Sequence, residues 1–344
     1  MSKPQSIQNV DQLDDLLSKP PAYLIEAMSR IEGDLIILGV GGKMGPTLAN
    51  MAKIASEKAG DSRKIIGVSR FSNEKLQGKL NSWGVETIAA DLLDENVYAN
   101  LPDAPNVMVM TGVKFGTSGN QSLTWAMNTY MPALAMKRYR SSKVAAFSTG
   151  NVYPLTPICE GGSQETDPLL PVGEYATSVL GRERMYEYFS LKYKLPTSLL
   201  RLNYACELRY GVLVDLAQKI WKEQPIDVSM GAFNVIWQAD ANAMALASFK
   251  HADTPPYLLN IAGPETLSVR RSCEALAERM GKKLQIVGEE APTALLNNGQ
   301  KGHQQFAYPS VNASQMIDWI ADWVKHDGEY HGKPTKFEVR DGKF

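Results

Sequence analysis

The run Gly39-Val40-Gly41-Gly42-Lys43-Met44-Gly45 follows a wholly apolar segment over 35–38 and precedes a helical pattern over about 44–58. Glycines at 39, 42 and 45 in that setting build a strand-turn-helix cradle. The turn needs their backbone freedom, and the helix N-terminus offers free N–H groups to a pyrophosphate. Gly39, Gly42, Lys43, Met44 and Gly45 are therefore expected to hold a dinucleotide. The next apolar run ends in Ser69-Arg70, where an NAD site commonly offers a carboxylate to the adenosine ribose. A guanidinium there suits a 2′-phosphate, so Ser69 and Arg70 favour NADP, with NAD as the alternative. Asp91, after the third apolar run, stands where a carboxylate accepts from the adenine amine or caps a helix.

Other chemistries find less support. Cys159, Cys206 and Cys273 are far apart, and His251, His303, His326 and His331 have no metal-ligand spacing. Neither a disulfide framework nor a metal site is expected. The 36 Lys and Arg against 37 Asp and Glu leave a formal charge of −1, which gives no electrostatic reason to expect nucleic acid or an anionic membrane as partner. Residues 1–9 contain no apolar signal core, and no segment reaches the roughly 18 uninterrupted apolar residues of a membrane span. The expectation is a soluble, cytoplasmic protein acting on a small molecule.

The elements that must position the cradle alternate. Strands are expected over 35–38, 64–68, 85–90, 107–110, 144–147 and 198–202, and helices over 44–58, 174–193 and 211–221. Short apolar runs between amphipathic helices indicate an α/β fold, a Rossmann-like doubly wound parallel sheet with a smaller C-terminal substrate-binding region. Residues 1–32 form an N-terminal extension with two short helical segments around Pro20-Pro21, and 33–202 the dinucleotide-binding domain, to which later strands return. Residues 203–325 are mainly substrate-binding, and 326–344 form a polar, mobile tail. The Pro- and Gly-rich stretch 154–173 is long for a strand-to-helix connection, as site walls and lids are.

Further motifs carry a resemblance. They are Asn128 in Trp125-Ala126-Met127-Asn128, Phe147-Ser148-Thr149-Gly150-Asn151-Val152-Tyr153, Tyr175 ahead of a helix, Leu199-Leu200-Arg201-Leu202-Asn203, and Tyr257-Leu258-Leu259-Asn260-Ile261-Ala262-Gly263. With the glycine turn and Asp91, they make the chain resemble an extended short-chain dehydrogenase/reductase of the NAD-dependent epimerase/dehydratase family over about 34–263. The resemblance implies an NAD(P)-dependent oxidoreductase or epimerase acting on a hydroxyl or carbonyl substrate, such as a sugar or nucleotide-linked sugar. It implies a homodimer packed through the helices that hold Asn128 and Tyr175. It makes Tyr175 the proton carrier, Thr149 the hydroxyl that holds the reacting oxygen, and Asn128 a positioning residue.

One position departs from the pattern. The family places lysine four residues after its tyrosine, and this chain has Val179. A phenol with a reference pKa near 10 needs a nearby cation to act as a base at neutral pH. Arg182, Lys43 and Lys114 are the candidate substitutes. Lys114 is favoured because it follows the fourth strand, and ligands bind at the carboxyl ends of the strands. The rival expectation is a nucleotide-binding protein of the same fold with weak or lost catalysis, acting as a partner or redox sensor.

Overall fold

A computed structural model of the chain describes residue 4 and residues 6–114 and 119–343. Its sheet strands are β1 (Leu35–Leu38), β2 (Ile65–Ser69), β3 (Glu86–Ala89), β4 (Asn106–Val109), β5 (Lys143–Thr149), β6 (Thr197–Leu202) and β7 (Tyr257–Ile261). They run in the spatial order β7-β6-β5-β4-β1-β2-β3, and every neighbouring pair is parallel. β1 and β4 are buried along their whole length, as strands covered on both faces must be. Strand order reverses between β1 and β4, which are in register from Leu35↔Asn106 to Leu38↔Val109. The chain leaves these two strands in opposite directions and opens a crevice at their carboxyl ends.

The helices are α1 (Val10–Leu17), α2 (Ala22–Met28), α3 (Gly45–Lys58), α4 (Glu74–Ser82), α5 (Gln121–Trp125), α6 (Met131–Arg138), α7 (Gly173–Tyr193), α8 (Val212–Trp221), α9 (Gln238–Ala247), α10 (Val269–Met280), α11 (Gln300–Gln305) and α12 (Ala313–Lys325). A π-helical turn, Ala126–Tyr130, joins α5 to α6. Pro46 sits in the first turn of α3, where its missing N–H removes no helical bond. α7 stops at Lys194, which is left-handed with φ 52°.

The N-terminal helices belong to the core. Asn9 caps α1 by accepting from Gln12 N at 2.9 Å. α1 and α2 then bury Leu13, Leu17, Leu24 and Met28 against α3 and α9. Arg63, just before β2, donates to Met28 O at 2.8 Å and fastens α2 to the sheet. In the C-terminal half, α8, α10 and α12 pack on one another.

The tail differs from the mobile one expected. Phe337 is buried and meets Phe233 with ring centroids 5.9 Å apart. Thr335 N and Oγ1 each donate to Asp215 Oδ2 at 2.6 Å, and Arg340 donates to Thr293 O at 2.7 Å. The sequence there is polar because its bonds are polar, and those bonds lie far away along the chain. Among the described residues no helix is long and apolar enough to cross a membrane, and no group of three or more His, Cys, Asp or Glu side chains is arranged to hold a metal ion.

A docked tail has a measurable cost of removal. Replacing Phe337 by Ala should destabilise the protein by about 3 kcal/mol in urea denaturation, the usual scale for emptying a buried aromatic site. It should also open 326–343 to limited proteolysis that the wild type resists. Equal cleavage of both proteins would contradict a docked segment.

Candidate functional site

The crevice widens into a cavity of about 960 Å³ lined by the glycine turn, the segments after β4, β5 and β6, Tyr175 and Arg182 of α7, and the C-terminal segment. The turn is built for close approach. Gly39 has φ 92°, and a Cβ there would lie 2.7 Å from Thr111 Cγ2. At Gly45 a Cβ would collide with Val40 O, so helix and strand meet only through glycine. Gly42 is different, since its nearest neighbour to a Cβ is Gly39 O at an ordinary 3.6 Å. Its bare backbone leaves space on the cavity side, which suits a pyrophosphate approaching the main chain. Lys43 and Met44 also line the cavity.

Tyr175 occupies the first turn of α7 and is hydrogen-bonded to Thr149 at the end of β5. Thr149 Oγ1 in turn meets Asn151 Oδ1 at 3.1 Å. Burial pushes the Tyr175 phenol up, while the Arg182 charge and the bond to Thr149 pull it down. Val179 lies in an apolar cluster with Val152 and Tyr153, against which Tyr175 also packs. Four residues beyond the tyrosine, the helix thus contributes packing and no charge.

Arg182 reaches the site from seven residues beyond Tyr175. Long helical side chains point back toward the helix N-terminus, which brings the guanidinium under the first turns. Arg182 is buried and donates to Asn128 O at 3.1 Å, Asn128 Oδ1 at 2.6 Å and Phe147 O at 3.1 Å. The first of these acceptors is left available because Pro132, four residues on, has no N–H to give it. A Cβ on Gly112 would lie 2.7 Å from Arg182 Nη2, so this close approach also needs glycine.

Asn128 is fully buried in the π-turn. Its Oδ1 accepts from Val113 N at 2.9 Å, and its Nδ2 donates to Val113 O at 3.0 Å and to Ser178 Oγ at 2.9 Å. One carboxamide therefore fixes the loop after β4, the arginine and α7 relative to one another. Lys114, on that loop, donates to Thr335 O at 3.2 Å and lies 5.8 Å from the Tyr175 ring centroid. Burial pushes its ammonium down to about 8. Of the cations weighed from sequence, Arg182 supplies the charge felt at the Tyr175 phenol, and Lys114 faces its ring.

The adenosine-end residues fall outside this cavity lining. Ser69 lies against Gly41, leaving no space for a Cβ there. Arg70 is exposed. Asp91 is exposed and accepts from Leu93 N at 3.1 Å, which closes a turn, while the helix cap expected as its alternative role belongs to Asp94. Several lining residues carried no sequence signal. Lys333, Thr335 and His331 come from the tail, and Asp14 comes from α1. Asp14 accepts from Arg209 Nη2 at 2.9 Å and also pairs with Lys79, joining α4 to the C-terminal half. Arg209 pairs with Glu207 as well, at 3.0 Å. Arg201, bonded to Glu183 and Tyr153, is wholly engaged in the core.

No protein-family model matches the sequence, and no curated protein matches it. Solved structures match in fold. UDP-glucuronic acid 4-epimerase from Bacillus cereus, in complex with UDP-glucuronic acid and NAD, is 16% identical, with TM-score 0.71 over 85% of this chain and 99% of that one. dTDP-glucose 4,6-dehydratase from Bacillus anthracis, in complex with NAD, is 14% identical, with TM-score 0.72 over 86% and 97%. DesIV, the dTDP-glucose 4,6-dehydratase of Streptomyces venezuelae, with NAD and TYD bound, is 16% identical, with TM-score 0.71 over 86% and 97%. The chain therefore shares the fold of these NAD-bound epimerase and dehydratase structures.

These structures overturn the expectation of NADP, because the dinucleotide they hold is NAD. The physical reason lies at Arg70. A guanidinium selects a 2′-phosphate only when it faces the ribose site, and this one is exposed and outside the cavity lining.

Lys43 gives this site a pH signature. Its Nζ lies 3.2 Å from the Tyr210 ring centroid, and burial together with the Lys333 and Lys114 charges lowers its pKa from 10.5 to about 7. Between those values the unfolded chain holds a proton that the folded chain has lost, so this group makes stability rise with pH across that window. Urea midpoints at pH 7 and pH 9.5 should therefore climb more in the wild type than in Lys43→Met. Parallel changes in the two proteins would remove Lys43 as the cause.

Proposed function

We propose that the protein is an NAD-dependent oxidoreductase or epimerase acting on a hydroxyl- or carbonyl-bearing small molecule, a sugar or nucleotide-linked sugar. The observation that carries the reading is the Tyr175–Thr149 hydrogen bond in the same cavity wall system as the glycine cradle. Gly39, Gly42, Lys43, Met44 and Gly45 hold the pyrophosphate of NAD through main-chain N–H groups. When bound, NAD supplies the hydride acceptor and donor. Residues 203–325 supply most of the substrate-binding region beside the nucleotide domain of 33–202, and 1–32 and 326–344 flank them.

In this mechanism Thr149 orients the substrate oxygen and Tyr175 moves its proton. The Arg182 guanidinium takes over the electrostatic part of the absent lysine by favouring the phenolate. Asn128 keeps Arg182 and α7 in place, and Lys114 closes the cavity over the ring. A second reading, a nucleotide-binding protein with weak catalysis, is favoured by the apolar packing of Val179.

Tyr175→Phe separates the two readings. With a panel of nucleotide sugars, turnover followed by product mass spectrometry should fall by about a thousandfold, while NAD affinity measured by calorimetry stays within about twofold. Unchanged turnover would remove Tyr175 from the chemistry, and no NAD binding to the wild type would sink the nucleotide site. Arg182→Met should move the rising limb of the pH–rate profile to higher pH, by about one unit or more, because the phenol loses its neighbouring positive charge. A profile that does not move would leave Arg182 purely structural.

The protein is further proposed to be a homodimer through the helices carrying Asn128 and Tyr175. Leu123, Trp125, Tyr130, Tyr188 and Leu191 on these elements are exposed large apolar side chains, between 37% and 53% accessible. Sedimentation equilibrium should give a dimer for the wild type and a monomer for the double change Tyr188→Glu with Leu191→Glu. A wild-type monomer would exclude this assembly.

A further inference from the structure

The N-terminal extension reaches the cavity through one charged side chain. α1 buries Leu13 and Leu17 in the core, and Asp14 between them is itself buried and lines the cavity. Asp14 accepts from Arg209 Nη2 at 2.9 Å and from Lys79 of α4, and both of these cations line the same cavity.

Each partner adjoins the glycine turn. A Cβ on Gly41 would lie 3.9 Å from Cδ2 of Leu76, which stands on α4 one helical turn before Lys79. Lys43 Nζ lies 3.2 Å from the ring centroid of Tyr210, the residue after Arg209. Asp14 therefore joins, beside the pyrophosphate cradle, a helix of the nucleotide domain to the segment after β6.

Charge in the cluster is balanced by the chain itself. Glu207 pairs with Arg209 at 3.0 Å, Asp11 stands 3.7 Å from Lys79, and His331 Nε2 lies 3.8 Å from Glu207 Oε1. Such charge-assisted bonds tie elements together and call for no further anion. The two links of Asp14 differ in one respect. The Asp14 and Arg209 side chains are 7% and 9% exposed, which shields their bond from salt and water. The Lys79 side chain is 32% exposed, so its link to Asp14 is the one that water competes for.

We propose that Asp14, holding Lys79 and Arg209, forms a clasp beside the dinucleotide site, and that opening of its link to Lys79 sets the rate at which NAD enters and leaves. The inference rests on the NAD reading of the site and gives the N-terminal extension a role. Asp14 is a positioning residue, acting through α4 and Arg209 on cofactor exchange. A bridge that must part before a ligand passes slows entry and exit alike, as lids do.

The test follows NAD exchange on the full-length chain, in wild type, Lys79→Met, Asp14→Asn and the double variant. Dissociation is read by chasing bound, isotopically labelled NAD with excess unlabelled NAD, association by stopped-flow fluorescence, and affinity by calorimetry. A clasp is a barrier and not a ligand contact, so each single variant should raise both rates about tenfold and leave the dissociation constant within about twofold. The double variant should exchange no faster than Asp14→Asn, because both changes break the same link. Lys79→Arg should keep the wild-type rates. Lys79 is partly exposed, and its removal leaves Asp14 paired with Arg209, so Lys79→Met carries the test even where Asp14→Asn does not fold.

Wild-type rates in Lys79→Met would overturn the clasp. Faster dissociation with unchanged association would overturn it too, since Lys79 would then be a direct contact of the cofactor. A wild-type chain that binds no NAD overturns the clasp together with the nucleotide reading, whereas NAD binding at rates indifferent to these variants overturns the clasp alone.

Discussion

The cavity depends on one buried carboxamide. Asn128 uses both N–H groups and its oxygen on Val113, Ser178 and Arg182, so nothing in it is left unsatisfied. An unpaired buried amide costs about 1–3 kcal/mol, whereas a fully bonded one specifies a single arrangement. Three elements from separate parts of the chain thereby share one reference point. The π-turn that carries Asn128 and the proline that follows it belong to the same device, because they release a main-chain carbonyl for the arginine.

Two buried arginines lie near this point and do different work. Arg201 is neutralised by Glu183 at 2.8 Å and is bonded to Tyr153, so its charge is spent inside the core. Arg182 donates to uncharged acceptors, a main-chain carbonyl from each of two elements and the Asn128 side chain. Burying a cation without a bonded carboxylate is costly, and such charges concentrate where a neighbour's protonation must be tuned. Here the neighbour is Tyr175, which burial alone would drive away from the phenolate. Four residues after Tyr175, Val179 gives its position to apolar packing with Val152 and Tyr153.

Both ends of the chain wall the cavity. α1 brings Asp14 to the pair Arg209 and Lys79, and the C-terminal segment brings Lys333 and Thr335 to the same lining, with His331 N donating to Arg209 O at 3.2 Å.

Periodicity and glycine placement by themselves determined the parallel sheet, the helix after the cradle and the strand that bears Thr149, because burial on both faces and a turn without Cβ atoms leave a local mark in the sequence. Asn128, Thr149 and Tyr175 were legible through their motifs. The cofactor was misread at Arg70, because residue type alone does not say which way a side chain faces. The tertiary structure alone decided that the Arg182 charge acts on the Tyr175 phenol and that residues near both termini line the cavity. Arg182 lies seven positions on from Tyr175, and side-chain length with a carbonyl freed by a proline on another helix brings it within range. Lys333 and Asp14 meet the site only because the folded chain brings its ends across the same crevice, and no local pattern of residue types encodes a contact of that separation.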